Sequence, residues 1–437
     1  MKFNFPWKRK KVLIAGLGVL GGGVGVARFF AENGANVTVT DLKTRQELKE
    51  SLEKLKKFNI KYVLGKHDIN FFLRADLIVK NPAIPDDSPY IKAAKLAKIP
   101  VEMEASLFFL LTPSKNIIGV TGTKGKTTTT LLISKFLKAA KYKVVTAGIP
   151  QHSLLGQLGK ITQQTWVVLE LSSWQLESLA PHKISPHIAV LTNIFPDHLN
   201  RYKSFQEYID AKKIIFQFQG KNDFFITSAN FEITQKLAKE AKSKVYFFSK
   251  NDLPQIVTKK FKLPGAHNLL NLAAVYKVAK ILKISDEIVG EVCQNFRGVP
   301  DHLEVVRIIN GVKFINDTTA TIPDATIAGI LAFSENVILI CGGADKNLDF
   351  SEFDKIANKN VKGVVLLKGS ATDKIERGLD GDKILGRFQN FKTAIQKAYE
   401  FAKKGDVILL SPAAASFGIF KNEFDRGEQF KKIVNQL

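Results

Sequence analysis

Lys126 and Thr127 follow a run of closely spaced glycines, and this is the pattern in the chain best suited to a nucleoside triphosphate. In Ile117 to Thr130, IIGVTGTKGKTTTT, Lys126 offers a cation and Thr127 a hydroxyl for Mg²⁺. Gly122 and Gly125 allow a tight backbone that aims N–H groups and a helix N-terminus at one point. The spacing GxxxxGK[ST] would need glycine at 120, where Val120 stands; instead Gly119, Gly122 and Gly125 recur every third residue. An ordinary glycine turn is the bland alternative, but it has no need of Gly-Lys-Thr at a helix start. The loop candidates for the triphosphate are Gly122, Thr123, Lys124, Gly125, Lys126, Thr127 and Thr128.

The elements that must position these groups are legible around them. Ile117 to Val120 reads as a buried strand, and Thr127 opens an apolar-periodic helix. A second strand, Val167 to Leu169, ends at Glu170, where a carboxylate beside the loop suits a nucleotide-bound Mg²⁺. A third, His187 to Thr192, leads into Asn193-Ile194-Phe195-Pro196-Asp197-His198. A lone histidine is usually a satisfied structural group, but Asp-His at the end of a parallel strand favours metal or phosphate. Lys212, on the helix that follows, reads from its own residues as a solvated lysine.

A second glycine cluster opens the chain. Lys11 to Ala15 is a strand, Gly16-x-Gly18-x-x-Gly21 a tight turn, Val24 to Asn33 a helix ending at Gly34, and Asn36 to Thr40 a strand ending at Asp41. This is a βαβ nucleotide fingerprint, with Asp41 placed for a ribose or base hydroxyl. A dehydrogenase would use it for NAD, but a second nucleotide site at Gly125-Lys126-Thr127 fits a plain oxidoreductase poorly. Another strand, Asp76 to Val79, runs into NPAIPDDSP, a rigid turn that begins at Asn81. Gly16, Leu17, Gly18, Val19, Asp41, Leu42 and Asn81 are the candidates for this site.

The 437 residues suggest two to four domains. Lys+Arg of 64 against Asp+Glu of 41 gives +23, which favours anionic ligands. The basic residues are scattered, with no nucleic-acid motif, so a lysine-rich solvated surface is expected and nucleic acid is not. Two cysteines, Cys293 and Cys341, both in apolar surroundings, exclude a disulfide framework. The start, MKFNFPWKRKK before VLIAGLGVLGGGVGV, superficially resembles a signal peptide, but its glycines serve the nucleotide turn. No other apolar run is long enough to span a bilayer. A cytoplasmic protein is expected, with peripheral attraction to anionic lipid as a further hypothesis.

In the last third, Val312 to Asn316, Val337 to Cys341, Val364 to Leu367 and Val407 to Leu410 read as strands of a third α/β unit, each ending in a polar cluster.

Taken together, GVTGTKGKTTTT, ELSSWQLE, TNIFPDHLNRY and LPGAHNLLNLAAV occur in an order that resembles the Mur ligase superfamily over almost the whole chain. The resemblance implies an α/β fold of three domains: N-terminal Rossmann-like (1–100), a central P-loop ATPase-like parallel sheet (101–297) and C-terminal Rossmann-like (298–437). It implies an ATP-dependent ligase that joins an amino acid, here D-glutamate, to UDP-N-acetylmuramoyl-L-alanine through an acyl phosphate in peptidoglycan precursor synthesis. Two Mg²⁺ ions are implied, held by Thr127, Glu170, His198 and Lys212, the last carbamylated. Lys126, His198 and Lys212 would be catalytic. Asn268, Asn271, His302 and Asp317 would serve ATP, and Thr321, Lys346, Ser416 and Phe417 the amino acid. A monomer is expected.

The chain departs from the family pattern at several positions. Thr319 stands where lysine is frequent, His302 where an arginine is usual, and Lys124 where asparagine is common. Ile149 replaces an asparagine, and Glu423-Phe424 invert an aromatic-acid order. Two other readings follow: a sister ligase with another acceptor such as L-glutamate, and a non-catalytic nucleotide-dependent binding protein.

Overall fold

The structure, a computed structural model, describes residues 7–19, 21–149, 153–198, 201–416 and 419–437. Three separate sheets account for its strands, and the central strands of each are short β-branched runs buried on both faces, as parallel sheets with helices on both sides require.

The first sheet contains β1 (Lys11–Ala15), β2 (Asn36–Asp41), β3 (Lys61–Leu64), β4 (Leu77–Lys80) and β5 (Val101–Glu102), in the order β3-β2-β1-β4-β5. All its pairings are parallel. The order reverses between β1 and β4, so the Gly16 turn and Asn81 meet where such a sheet opens a crevice. β3 escapes the sequence reading because its residues are only half buried, which leaves no apolar run to recognise. The strand expected over 76–79 spans Leu77–Lys80. The expected helix begins earlier, spanning Gly22–Glu32, with Gly21 in the left-handed region before it and Gly34 just beyond it.

The central sheet contains β6 (Ile117–Thr121), β7 (Val144–Ala147), β8 (Trp166–Glu170), β9 (Ile188–Leu191), β10 (Phe224–Ser228) and β11 (Lys244–Phe248), in the order β11-β10-β9-β6-β8-β7. β6 therefore lies between β8 and β9, and the loops after all three open at the same end of the sheet. β11 is an open edge on which Tyr246 and Phe247 are exposed beside Lys244.

The third sheet contains β12 (Glu304–Ile309), β13 (Val312–Asn316), β14 (Val337–Cys341), β15 (Val361–Leu367), β16 (Ile384–Phe388) and β17 (Val407–Leu410), in the order β12-β13-β17-β14-β15-β16. The four expected strands are present. β12 adds an antiparallel edge joined to β13 through Asn310 and Gly311, both at positive φ (51° and 79°), the geometry of a two-residue hairpin. Cys293 and Cys341 are free and buried, and burial pushes both thiols up, Cys293 to about 12. Among the described residues no helix is long and apolar enough to cross a membrane.

The first and second sheets are joined through the helix Glu104–Leu111, whose Leu107 and Phe108 are fully buried. The Glu104 carboxylate accepts hydrogen bonds from Ser153 Oγ and, at 3.1 Å, from Leu155 N–H. Burial raises this carboxyl to about 7, against the opposing pull of those bonds. An acid with a raised folded-state pKa costs stability once it must ionise, so this cost develops as pH climbs from about 4.5 to 7 and is complete above that. Glu104→Gln is expected to lie within about 1 kcal/mol of the wild type near pH 5 and to exceed it by about 3 kcal/mol near pH 8.5. Thermal denaturation at the two pH values checks this; a difference independent of pH would refute it.

Candidate active site

β6 delivers the glycine loop. The Thr121 hydroxyl donates to Leu171 C=O at 2.7 Å and locks the strand end to the start of the Glu170 segment. Gly125 has φ +84° and immediately precedes the helix Lys126–Ala139. A Cβ there would lie 2.1 Å from Asn271 Oδ1, so only glycine admits Asn271 so close to the loop. Asn271 and Asn268 sit one turn apart on the helix Ala266–Ile281, both buried and within 3.4 Å of each other. The structure thus brings both asparagines to the loop.

Each loop side chain has a distinct partner. Lys126 Nζ donates to the carbonyls of Gly122 (3.1 Å) and Thr123 (3.0 Å), curled over its own loop. Thr127 Oγ1 donates to Glu170 Oε2 at 2.7 Å, joining the hydroxyl and carboxylate expected at one Mg²⁺. The Thr123 hydroxyl turns inward to Phe195 N–H and C=O, and Thr128 is buried in the first helical turn. Lys124 leaves the loop in the opposite direction: its Nζ lies 3.5 Å from Thr319 C=O beside the third sheet.

Lys212 overturns its own bland reading as a solvated lysine. It is 2 % exposed, donates to Gly122 C=O at 2.9 Å and lies 4.7 Å from the Tyr208 ring centroid. Burial, reinforced by Lys126, pushes its ammonium well below the ordinary lysine range. His198 has φ +57° and packs against Trp174 with its ring tilted by 57°, the centroids 5.2 Å apart. Burial lowers it to about 4, so the imidazole is neutral at physiological pH. Burial raises Glu170 against the pull of Lys126. The sequence reading marks Asp197 only as half of the Asp-His pair. Burial alone would raise it, but Lys124 and Lys346 prevail and hold it far below the usual carboxylate range. Lys124, in turn, is lowered by burial to about 8.

The third sheet contributes from the ends of β13, β14 and β17. Lys346 Nζ donates to Asp197 Oδ1 at 3.1 Å and to Thr321 Oγ1 at 3.2 Å, which brings two amino-acid candidates onto the central domain. Asp317, whose carboxyl burial raises to about 7, accepts from Ser411 Oγ (2.8 Å) and Leu303 N–H (3.2 Å). Ser416 is buried; Phe417 lies outside the described residues. His302 stands between two positive-φ residues, Asp301 and Leu303, and burial lowers it. It also depresses His267, a histidine without a sequence-based role, which burial brings to about 4. Arg426 is fully buried, donating to Thr318 Oγ1 (2.9 Å) and C=O (2.8 Å), and burial lowers it to about 9.

The first-sheet candidates form a separate cluster. Leu17 and Gly18 N–H groups donate to Asp41 Oδ2 at 2.8 and 3.0 Å, and Lys43 N–H to Oδ1 at 2.8 Å, so Asp41 holds the glycine turn in shape. Asn81 packs on Gly16, where an added Cβ would lie 2.7 Å from Asn81 Cβ. Val19 and Leu42 are exposed at the crevice. Arg201 ties this domain to the central one, donating to Pro82 C=O at 2.6 Å and to Glu177 at 3.1 Å while lying over Trp174. Among the described residues, no group of three or more His, Cys, Asp or Glu side chains forms a metal site by itself.

A phosphate loop on a central parallel sheet, flanked by two further α/β sheets of which the third reaches the central site through Lys346, defines a three-domain ligase architecture. The chain belongs to the Mur ligase family. Residues 10–102 match the family described as "Mur ligase MurD-like, N-terminal domain", 120–263 "Mur ligase middle domain" and 303–414 "Mur ligase, glutamate ligase domain". Among relatives, the chain is 41% identical to a UDP-N-acetylmuramoylalanine--D-glutamate ligase of Roseiflexus sp. (strain RS-1), covering 98% of this chain and 99% of that one. It is 39% identical to the protein of that name from Borreliella afzelii (strain PKo), covering 98% of each. The fold is that of the UDP-N-acetylmuramate-alanine ligase MurC of Thermotoga maritima, with TM-score 0.65 and 22% identity over 98% of this chain and 99% of that one. It also matches the MurF ligase of Thermotoga maritima in complex with ADP, with TM-score 0.62 and 17% identity over 92% and 95%.

Gly125→Ala tests the loop geometry. The left-handed φ and the clash with Asn271 are expected to cost about 1–3 kcal/mol locally. ADP affinity should fall at least tenfold with far-UV circular dichroism unchanged. Calorimetric titration checks this, and wild-type affinity would refute it.

Proposed function

We propose that this protein is an ATP-dependent amide ligase that adds D-glutamate to UDP-N-acetylmuramoyl-L-alanine in peptidoglycan precursor synthesis. The observation that carries the reading is identity of 34–41% over nearly the whole chain to proteins of that name. The site chemistry agrees with it. A carboxylate oxygen of the uridine-linked substrate attacks the γ-phosphorus of ATP, ADP leaves, and an acyl phosphate results. The amine of glutamate then attacks the acyl carbon, phosphate leaves, and the nitrogen gives up its proton.

In this reading the first-sheet cluster around Gly16, Asp41 and Asn81 holds the uridine nucleotide. Lys126, now on its own loop carbonyls, turns to the phosphates and neutralises charge that builds in the transition state. Asn268, Asn271, His302 and Asp317 line the nucleotide. Thr321, Lys346 and Ser416 receive the acceptor, and Phe417 joins them. The domain limits are 1–100, 101–297 and 298–437, and the protein acts as a cytoplasmic monomer.

Two Mg²⁺ ions would supply further charge neutralisation. The Thr127 hydroxyl and Glu170 carboxylate are hard oxygen donors already in contact, which fits an ion whose remaining ligands are phosphates and water. The neutral His198 imidazole fits the second. Lys212 fits only after carbamylation, and its burial favours this, because the uncharged amine is the form that adds to CO₂. Closure of the third domain over the acyl phosphate excludes water that would hydrolyse it.

Phosphate release from ATP with Mg²⁺ and UDP-N-acetylmuramoyl-L-alanine, with amino acids added singly, tests the reading. Stimulation by D-glutamate alone is expected; stimulation by another amino acid only would keep the chemistry and move the acceptor. Lys126→Ala is expected to lower turnover by roughly a hundredfold or more while leaving uridine-nucleotide affinity within about twofold. Loss of both would count against separate sites.

A further inference from the structure

Asp197 carries a charge that the reaction as described does not use. It is 4 % exposed, follows β9 in the central domain, and receives Lys346 from the third domain. Its own backbone helps to fix it: His198 N–H donates to Oδ1 at 2.8 Å, the same oxygen that accepts from Lys346. Oδ2 accepts no hydrogen bond among the described residues; His198 Nε2 lies 3.8 Å from it, and the Lys124 ammonium acts on the same carboxylate. One carboxylate oxygen therefore accepts two hydrogen bonds, and the other is left without one among the described residues.

Lys346 also bonds Thr321, so two of the side chains that the ligase reading assigns to the acceptor, one of them a cation suited to its α-carboxylate, stand beside Asp197. An amino acid carries its ammonium on the carbon that bears that carboxylate. Whatever holds the one group determines the surroundings of the other.

We propose that Asp197 binds and orients the ammonium of the incoming amino acid, and that the acceptor enters by inserting its zwitterionic head between Asp197 and Lys346. The inference rests on the ligase reading and deepens it. The exchange is charge-balanced: one buried ion pair becomes two, carboxylate on Lys346 and ammonium on Asp197, and no buried charge is left alone. A dicarboxylate without the amine takes Lys346 but strands Asp197, which is costly in a buried site. The site thereby selects an amine-bearing acceptor, and Asp197 fixes the nitrogen before it loses its proton and attacks. Asp197 is a binding and positioning residue in this scheme.

The test uses the full-length enzyme with ATP, Mg²⁺ and UDP-N-acetylmuramoyl-L-alanine. D-glutamate-stimulated phosphate release by the wild type is measured first, and its absence is a failure of the ligase reading rather than of this inference. KM for D-glutamate is then compared with the competitive Ki of glutarate, which is glutamate without its amine. The wild type is expected to prefer D-glutamate by about a hundredfold. In Asp197→Asn that preference should shrink at least tenfold, because KM rises while the glutarate Ki holds or improves. Equal weakening of both ligands would mark Asp197 as structural support only and overturn the proposal. Lys346→Gln should weaken both ligands by similar factors and keep at least tenfold preference for the amine. Should Asp197→Asn fail to fold, that retained preference carries the test alone, and its loss overturns the proposal.

Discussion

An excess of buried positive charge is the constraint on which the site depends. Lys124, Lys126, Lys212 and Lys346 converge on two carboxylates, Glu170 and Asp197, where little water remains to screen them. Such a cluster is unfavourable by itself, and the structure relieves it in two ways. Backbone carbonyls of Gly122 and Thr123 absorb the Lys126 and Lys212 ammonium groups, and burial drives Lys124 and Lys212 toward their neutral forms. The arrangement is complementary to an anion with more charge than the protein supplies, which is what a triphosphate and a transferring phosphoryl group bring.

The fold makes this crowding attainable by geometry rather than by local sequence. β6 lies between β8 and β9, so the glycine loop, Glu170 and the Asp197–His198 segment leave the sheet side by side. The helix bearing Asn268 and Asn271 then presses on the loop at Gly125, and the helix bearing Lys212 on Gly122. The third sheet adds Lys346 from outside. The groups that would touch phosphate are thus held by a rigid sheet, and the one that would meet the acceptor rides on a separate domain, an arrangement suited to binding partners in sequence.

Much of this was legible in the sequence because it was local. The strand, loop and helix around Lys126, the carboxylate at Glu170 and the four buried strands of the last third all announce themselves by β-branched runs and glycine spacing. What escaped was either weakly patterned or long-range. β3 is half buried and has no clean alternation. The Asn310-Gly311 hairpin carried a recognisable turn signal, but β12 is mostly exposed and did not read as a strand beside it. Burial of Lys212 depends on packing against Gly122, far away in the chain, and composition alone argues for a solvated lysine. Asp197 was visible only as half of an Asp-His pair, since its partner Lys346 arrives from another domain.

The open edge at β11 has a consequence for how molecules of this protein behave together. An edge strand with exposed Tyr246 and Phe247 has unpaired backbone groups ready to extend a neighbouring sheet. Two copies meeting there would each bring a strand that begins at Lys244, on bodies that each carry a net charge of +23. Mutual repulsion makes that encounter short-lived at ordinary ionic strength and less so as salt screens it. The lysine-rich surface therefore acts as a colloidal guard for a sheet left unfinished on one side.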